Sequence, residues 1–506
     1  MPESHEALFQ QMSLYARETA CWSSIAGVLH WDERTMMPPP SAGHRAEQIG
    51  LLSGLVHRRL CNPAFGEKLD ALAGGPLAAD PYSDTGATIR WLRRDRQKAV
   101  RLPTSLVEEL SRTAVLGQQA WQAARQSDDF PAFLPVLKKI VGLKREQAAA
   151  LGYPQQQYDA LLDEFEPEES TDNIMRVLAD LRERLLPLVA EVTEAGHRPE
   201  ETLLRRHFPV EAQKAFGREA AGAIGFDFAE GRLDVTAHPF CSGLGPHDTR
   251  ITTRYHDNFF PAAFFGILHE AGHGIYDQGL APEHWGLPLG EAVSLGIHES
   301  QSRLWENMVG RSRAFWEHLY PQAKRWFPGA LGDVSLDAFH FAVNEVRPSL
   351  IRVEADEATY NLHILVRFEL ERALLEGDLP PADLPGAWNE CYRRYLGIEP
   401  RDNAGGVLQD VHWSAGAIGY FPTYSLGNLY AAQFFEAADR DLGGLHAQFA
   451  RGEFTPLLRW LREKIHVEGR RYTAAELVER VTGCPLSSEP LMAYLRRKLT
   501  PLYGLK

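Results

Sequence analysis

Apolar positions recur at helical spacing along most of the chain. Over residues 5 to 29, Leu8, Met12, Leu14, Tyr15, Trp22, Ile25 and Leu29 predict a first helix. It must end at Met36-Met37-Pro38-Pro39-Pro40, because each proline lacks an amide donor and clashes with the turn before it. Ser41 then stands where it can cap a second helix through Ile49, Leu51, Leu52, Leu55 and Val56. Helical patterns follow over 84–98, 103–127, 129–151 and 170–195, with Asp128-Asp129-Phe130-Pro131 as the entry into the third of these. Later helices are expected from Leu295 to Val309, over 347–376 and over 383–396. A glycine-rich irregular stretch at 399–425 follows before helix resumes.

The period shortens to two in one place. Leu233, Val235 and Ala237 alternate with Asp234, Thr236 and His238, and Thr249, Ile251, Thr253 and Tyr255 alternate with Arg250, Thr252, Arg254 and His256. Two such runs joined by a Gly/Pro-rich link read as strands, arranged as a hairpin. A small sheet there directly precedes the most informative helix, and its edge suits an extended peptide. No repeat, low-complexity tract or linker is visible. The expected fold is mainly α: one domain over 1–506, with two helical lobes around a cleft and a small β-sheet beside one helix.

That helix carries Phe264-Phe265-Gly266-Ile267-Leu268-His269-Glu270-Ala271-Gly272-His273-Gly274-Ile275-Tyr276-Asp277. Pro261 suits its first turn. Residues four apart share a face, so His269 and His273 can reach one metal ion, while Glu270 is turned about 100° away. This is the H-E-x-x-H arrangement of zinc peptidases, with two His ligands and a Glu general base. Phe264, Phe265, Ile267, Leu268, Ile275 and Tyr276 predict a buried helix, and buried imidazoles need partners. Asp277, one turn beyond His273, is a candidate acceptor for the free ring N–H of His273. A catalytic zinc wants a third protein ligand. Glu299 is favoured, 299 − 273 = 26 residues after His273 and across a Pro/Gly-rich loop; His298, Glu291 and His284 are alternatives. Glu270 would take the attacking water's proton and pass it to the leaving amine.

Composition and charge change the picture only by exclusion. The 506 residues are 44% hydrophobic and 24% charged, which is ordinary globular composition. A net charge of −14 argues against a general nucleic-acid or acidic-membrane binder, and the cluster Arg90, Arg93, Arg94, Arg96 and Lys98 has no interleaved aromatics. Five scattered cysteines without C-x-x-C suggest free thiols in a reducing compartment. The start, Met-Pro-Glu-Ser-His-Glu-Ala, lacks signal-peptide features, and no apolar run is long enough to span a membrane. A cytoplasmic protein is expected.

Six segments in order carry a resemblance over nearly the whole chain. They are His238-Pro239-Phe240, Asp248-Thr249-Arg250-Ile251-Thr252, His269-Glu270-Ala271-Gly272-His273, His298-Glu299-Ser300-Gln301, Ile351-Arg352-Val353-Glu354-Ala355-Asp356 and Gly406-Val407-Leu408-Gln409-Asp410-Val411-His412-Trp413. With Trp31-Asp32 and Met37-Pro38-Pro39, they resemble the carboxypeptidase Taq family of zinc metallocarboxypeptidases. The resemblance implies a mostly helical, gluzincin-like protein with a deep groove, and zinc on His269, His273 and Glu299, with cobalt as a substitute. It also implies release of single C-terminal residues with broad specificity, poor at proline, by a homodimer. The order of motifs is also similar to that of angiotensin-converting-enzyme-like peptidases, which leaves a zinc endo-oligopeptidase as the rival activity. A non-catalytic metal-binding protein is a more distant rival, against which the intact Glu270 argues.

A carboxypeptidase must recognise a free carboxylate, and a bidentate arginine is its best partner. Arg352 is the first candidate and Arg250 the second. The plainer readings are a helical i,i+4 pair of Arg352 with Asp356, and a strand pair of Arg250 with Asp248 or Asp257. His412 is the candidate donor to the oxyanion, or else a buttress of its loop. Tyr420 is the candidate to assist it, ahead of Tyr424. His238 is a candidate contact to the substrate backbone.

Overall fold

The computed structural model describes residues 4–236 and 238–505. Ala237 of the first strand run, and Met1–Glu3 of the start read above, lie outside the described residues. The fold is mainly α with one three-stranded sheet. No described helix is long and apolar enough to cross a membrane.

Most helices fall where the periodicity puts them. The first spans His5–Thr35, and Met36 and Met37 close on Asp32 O just ahead of the prolines. Helices Asp84–Arg101, Thr104–Ser127, Phe130–Leu151, Thr171–Glu194 and Leu384–Leu396 match expectation closely. Asp129 caps its helix by accepting the Ala132 amide, as its position suggested. Ser41 does not act as expected: it precedes the helix Ala42–Leu60, but its side chain accepts no helix amide.

The helix expected over 347–376 begins only at Tyr360. Pro348 disfavours helical geometry at Arg347. Asp356 then diverts the chain by accepting the amides of Ala358 and Thr359, an Asx turn that competes with helix. Arg352 therefore lies in a short 3-10 turn, Arg352–Glu354, and its expected helical pair with Asp356 does not form.

The sheet also corrects the expected hairpin. Strand β1 is Gly231–Val235, β2 is Cys241–Gly245 and β3 is Asp248–Thr253, in the order β1-β3-β2. The two period-two runs are neighbours but parallel, with Leu233 opposite Ile251. The hairpin is between β3 and β2 instead. Strand β2 reads Cys-Ser-Gly-Leu-Gly, which carries no alternation to reveal it.

The chain forms two compact units interleaved in sequence. One comprises the described residues to Val100, Pro199–Val343 and Ala431–Pro485; the other comprises Arg101–Arg198, Asn344–Tyr430 and the described residues from Leu486. The first holds the sheet and the helix Phe260–Asp277. That helix packs through Phe260 and Phe264 onto Phe216, Trp316 and Phe327. The second holds Arg352, Asp410, His412 and Tyr420.

Candidate metal centre

The helix Phe260–Asp277 starts at a proline-tolerant first turn and is buried along most of its length. Phe264, Phe265, Ile267, Leu268, Ile275 and Tyr276 are all buried, as their spacing predicted. One residue between the two histidines must be small. A Cβ on Gly272 would lie 2.6 Å from Ser302 Cα and 2.7 Å from Gln301 O. Glycine thus lets the helix Leu295–Arg303, capped by Ser294, pass in backbone contact, and this brings Glu299 to the histidines.

Donor atoms of His269, His273 and Glu299 lie within 4.8 Å of one another, the only such group of three or more among the described residues. Nε2 of His273 is 3.3 Å from Glu299 Oε2, and Nε2 of His269 is 3.7 Å from the same oxygen. The outward ring nitrogens are also engaged. Nδ1 of His269 is 2.9 Å from Glu306 Oε2, and Nδ1 of His273 is 2.6 Å from Nδ1 of His298. Both rings are thereby turned so that Nε2 faces the carboxylate. Two imidazoles and one carboxylate converging in this way are the donor set of a catalytic divalent-metal site, so the residues fit zinc.

The electrostatics agree with the geometry. Burial alone would raise the Glu299 carboxyl, but Arg303 and the two histidines hold it well below the usual range. Arg303 donates Nε to Glu299 Oε1 at 2.7 Å and Nη1 to Glu306 Oε2 at 3.3 Å. Burial pushes His273 down to about 4, so its ring is neutral, the form that ligates metal. Burial would depress His269 too, yet Glu299 and Glu306 raise it. Glu270 is buried, and desolvation lifts its carboxyl to about 7.

Two contacts differ from the sequence reading. Asp277 does not reach His273: His298 stands between them, with Nε2 3.1 Å from Asp277 Oδ1. Asp277 is turned toward the sheet, where Cys241 Sγ is 3.6 Å away. Glu306 was missed. It sits in a π-helical turn, Leu304–Val309, a geometry common at functional sites. Its signal was the spacing Glu299, Arg303, Glu306, which is i, i+4, i+7 on one helical face. Of the alternative third ligands, His298 is behind His273, Glu291 pairs with Arg470 and His284 lies 3.7 Å from Asp84.

The remaining candidates are placed as follows. Arg250 on β3 makes a bidentate pair with Asp248, both bonds 2.8 Å, and stacks over Trp31, the plainer of its two readings. His238 is exposed between β1 and β2. In the other unit, Arg352 is buried and donates Nε to Asp410 Oδ1 at 2.9 Å and Nη1 to Tyr360 OH at 2.9 Å; its Nη2 is also 2.9 Å from Asp410 Oδ1. Asp410 is shared with Arg367 Nε at 2.7 Å, and the two guanidiniums hold it low against burial. His412 has Nδ1 3.9 Å from Asp410, and Nε2 is 3.2 Å from Tyr424 OH. Burial, with Arg352 nearby, lowers His412 to about 3, so it is a neutral imidazole. Tyr424, the second candidate, is thus hydrogen-bonded to His412; Tyr420 packs against Phe165, Tyr424 and the His412 ring.

Comparison with known proteins gives one answer. The family model described as carboxypeptidase Taq (M32) metallopeptidase matches residues 11–499. A Thermus thermophilus protein called thermostable carboxypeptidase 1 is 51% identical over 99% of each chain. Carboxypeptidase 1 of Bacillus subtilis is 38% identical over 96% of each. The crystal structure of an M32 carboxypeptidase from Deinococcus radiodurans superposes with a TM-score of 0.95 at 41% identity, covering 98% of this chain and 99% of that one.

Proposed function

The chain belongs to the carboxypeptidase Taq (M32) family of metallopeptidases, and we propose that it releases single amino acids from the free C-terminal end of peptides, with broad side-chain tolerance and poor action at proline. The observation that carries this reading is the convergence of His269, His273 and Glu299, with the outward nitrogen of each histidine already engaged. These three residues would hold zinc, or cobalt in its place. A bound dication of this kind supplies Lewis-acid polarisation of the scissile carbonyl and acidifies a water.

The chain's own residues do the rest. Glu270 takes the proton of the attacking water at its carboxylate and returns it to the leaving amine. Arg352 is our assignment for the chain end. A guanidinium has five N–H donors and Asp410 and Tyr360 engage three, which leaves one each on Nη1 and Nη2 for a second carboxylate. Arg250 is the second candidate, though Asp248 already occupies its fork. His412, with Tyr420 or Tyr424, donates to the oxygen that becomes negative, and a neutral ring suits that role. His238, exposed beside β1, contacts the substrate backbone. We assign the enzyme to a reducing, cytoplasmic compartment from its five free cysteines, and expect a homodimer as its working form.

The test is hydrolysis of an N-blocked dipeptide, with metal content measured on the same samples. Glu270→Gln should keep its metal and lose about 10²–10⁴-fold in kcat, the usual weight of a general base. Full activity in that variant would refute the role given to Glu270.

A further inference from the structure

One buried carboxylate has no part in the mechanism above, yet three donors point at it. Glu371 is fully buried on the helix Tyr360–Glu376. Its Oε1 accepts the indole N–H of Trp413 at 2.8 Å. Its Oε2 accepts Tyr158 OH at 2.7 Å and the Gly419 amide at 3.1 Å. Trp413 directly follows His412, and Gly419 directly precedes Tyr420.

Between those two anchors the loop closes on itself. The amides of Ala415 and Ala417 both donate to His412 O, at 3.2 and 2.9 Å, and Gly416 donates to Trp413 O at 3.0 Å. Gly419 has φ +98°, and a Cβ there would lie 2.8 Å from the Leu161 carbonyl carbon. The loop is therefore seated on the helix Gln157–Leu162, which also supplies Tyr158. One turn before Glu371, Arg367 bonds Asp410 and Gln409 on the other side of His412. A single helix face thus grips the loop on both sides of the histidine.

We propose that Glu371 is a positioning residue for the reaction: it fixes Trp413 and Gly419, and through them the placement of His412 and Tyr420. This rests on the reading of His412 and Tyr420 as groups that touch substrate. The need is for one acceptor oxygen per loop donor, Oε1 for Trp413 and Oε2 for Gly419. A glutamine would turn its NH2 toward either Trp413 or Gly419, and one loop donor would lose its partner. Bonds to the carboxylate, once ionised, are also shorter and stronger than bonds to an amide oxygen, which suits a loop whose placement matters to a fraction of an ångström.

The experiment compares holoenzyme variants on an N-blocked dipeptide, reading kcat and KM separately alongside thermal midpoint and metal content. Glu371→Gln should lower kcat about ten- to hundred-fold, with KM within about three-fold of wild type and full metal. Tyr158→Phe removes one bond to the same carboxylate but leaves both loop donors served, so kcat should stay within about two-fold whatever the stability cost. Should Glu371→Gln not fold, Trp413→Phe removes only the indole donor and should lower kcat in the same direction. The proposal is overturned if Glu371→Gln or Trp413→Phe keeps wild-type kcat while His412→Gln loses it. It is equally overturned if Tyr158→Phe lowers kcat as much as Glu371→Gln, for the network would then be only structural. If His412→Gln itself keeps wild-type kcat, the reading of the loop as substrate-contacting fails as well.

Discussion

His269 and His273 have four ring nitrogens, and each has a partner. The two Nε2 atoms face Glu299, while Glu306 and His298 hold the two Nδ1 atoms. Partners of this second kind fix ring orientation and ligand basicity. Glu306→Gln should therefore weaken zinc affinity about 10–100-fold without abolishing binding, as read by competition with a chelator. Glu371 makes a different residue-scale prediction. Burial raises its carboxyl to about 7, against the opposing pull of its bonds to Tyr158, Gly419 and Trp413 and of the Lys144 charge. A carboxyl that keeps its proton longer when folded contributes stability below pH about 4.5, and that contribution is lost as pH rises through about 7. The unfolding free energy of the native chain relative to Glu371→Gln should fall between those values and level off above, a swing on the order of 3 kcal/mol. A flat difference across the range would contradict it. What was legible at this scale followed helix geometry. Spacing of four put the histidines together, and the motif after the loop pointed to Glu299. Asp277 was misassigned because spacing says nothing of a side chain arriving from another helix, and His298 is that side chain. For Arg352, the partner is 58 residues away at Asp410, beyond the reach of any local pattern.

At the scale of elements, the site depends on two helices in backbone contact. Gly272→Ala would place a methyl carbon 2.6 Å from Ser302 Cα, where neither backbone can yield cheaply. The expected result is a lower thermal midpoint together with weaker metal binding, because pushing the helices apart withdraws Glu299. Gly222→Ala is the matched control, since a Cβ there meets nothing within 4 Å on the helix Val210–Ile224. Periodicity located most helices here because each buries one stripe against its unit. It failed where structure is set by caps rather than by stripes. Asp356 delays the helix of Tyr360, and β2 has too little side chain to show a period.

On the scale of the whole molecule, the two units are each assembled from separated stretches of chain. That interleaving leaves no linker or composition shift, which is why one continuous domain was the natural sequence reading. The mainly helical class was legible all the same, because it is the sum of many local stripes. The proposed activity is also tested at this scale. The most direct measurement is the time course of amino-acid release from a defined peptide of distinct residues, by mass spectrometry, with free and amidated C-terminal ends. The account predicts residues released one at a time from the free C-terminal end, little or no release from the amidated peptide, and loss of release on chelation with recovery on added zinc. Internal fragments appearing first, equal cleavage of the amidated peptide, or undiminished release after the metal is removed would contradict it.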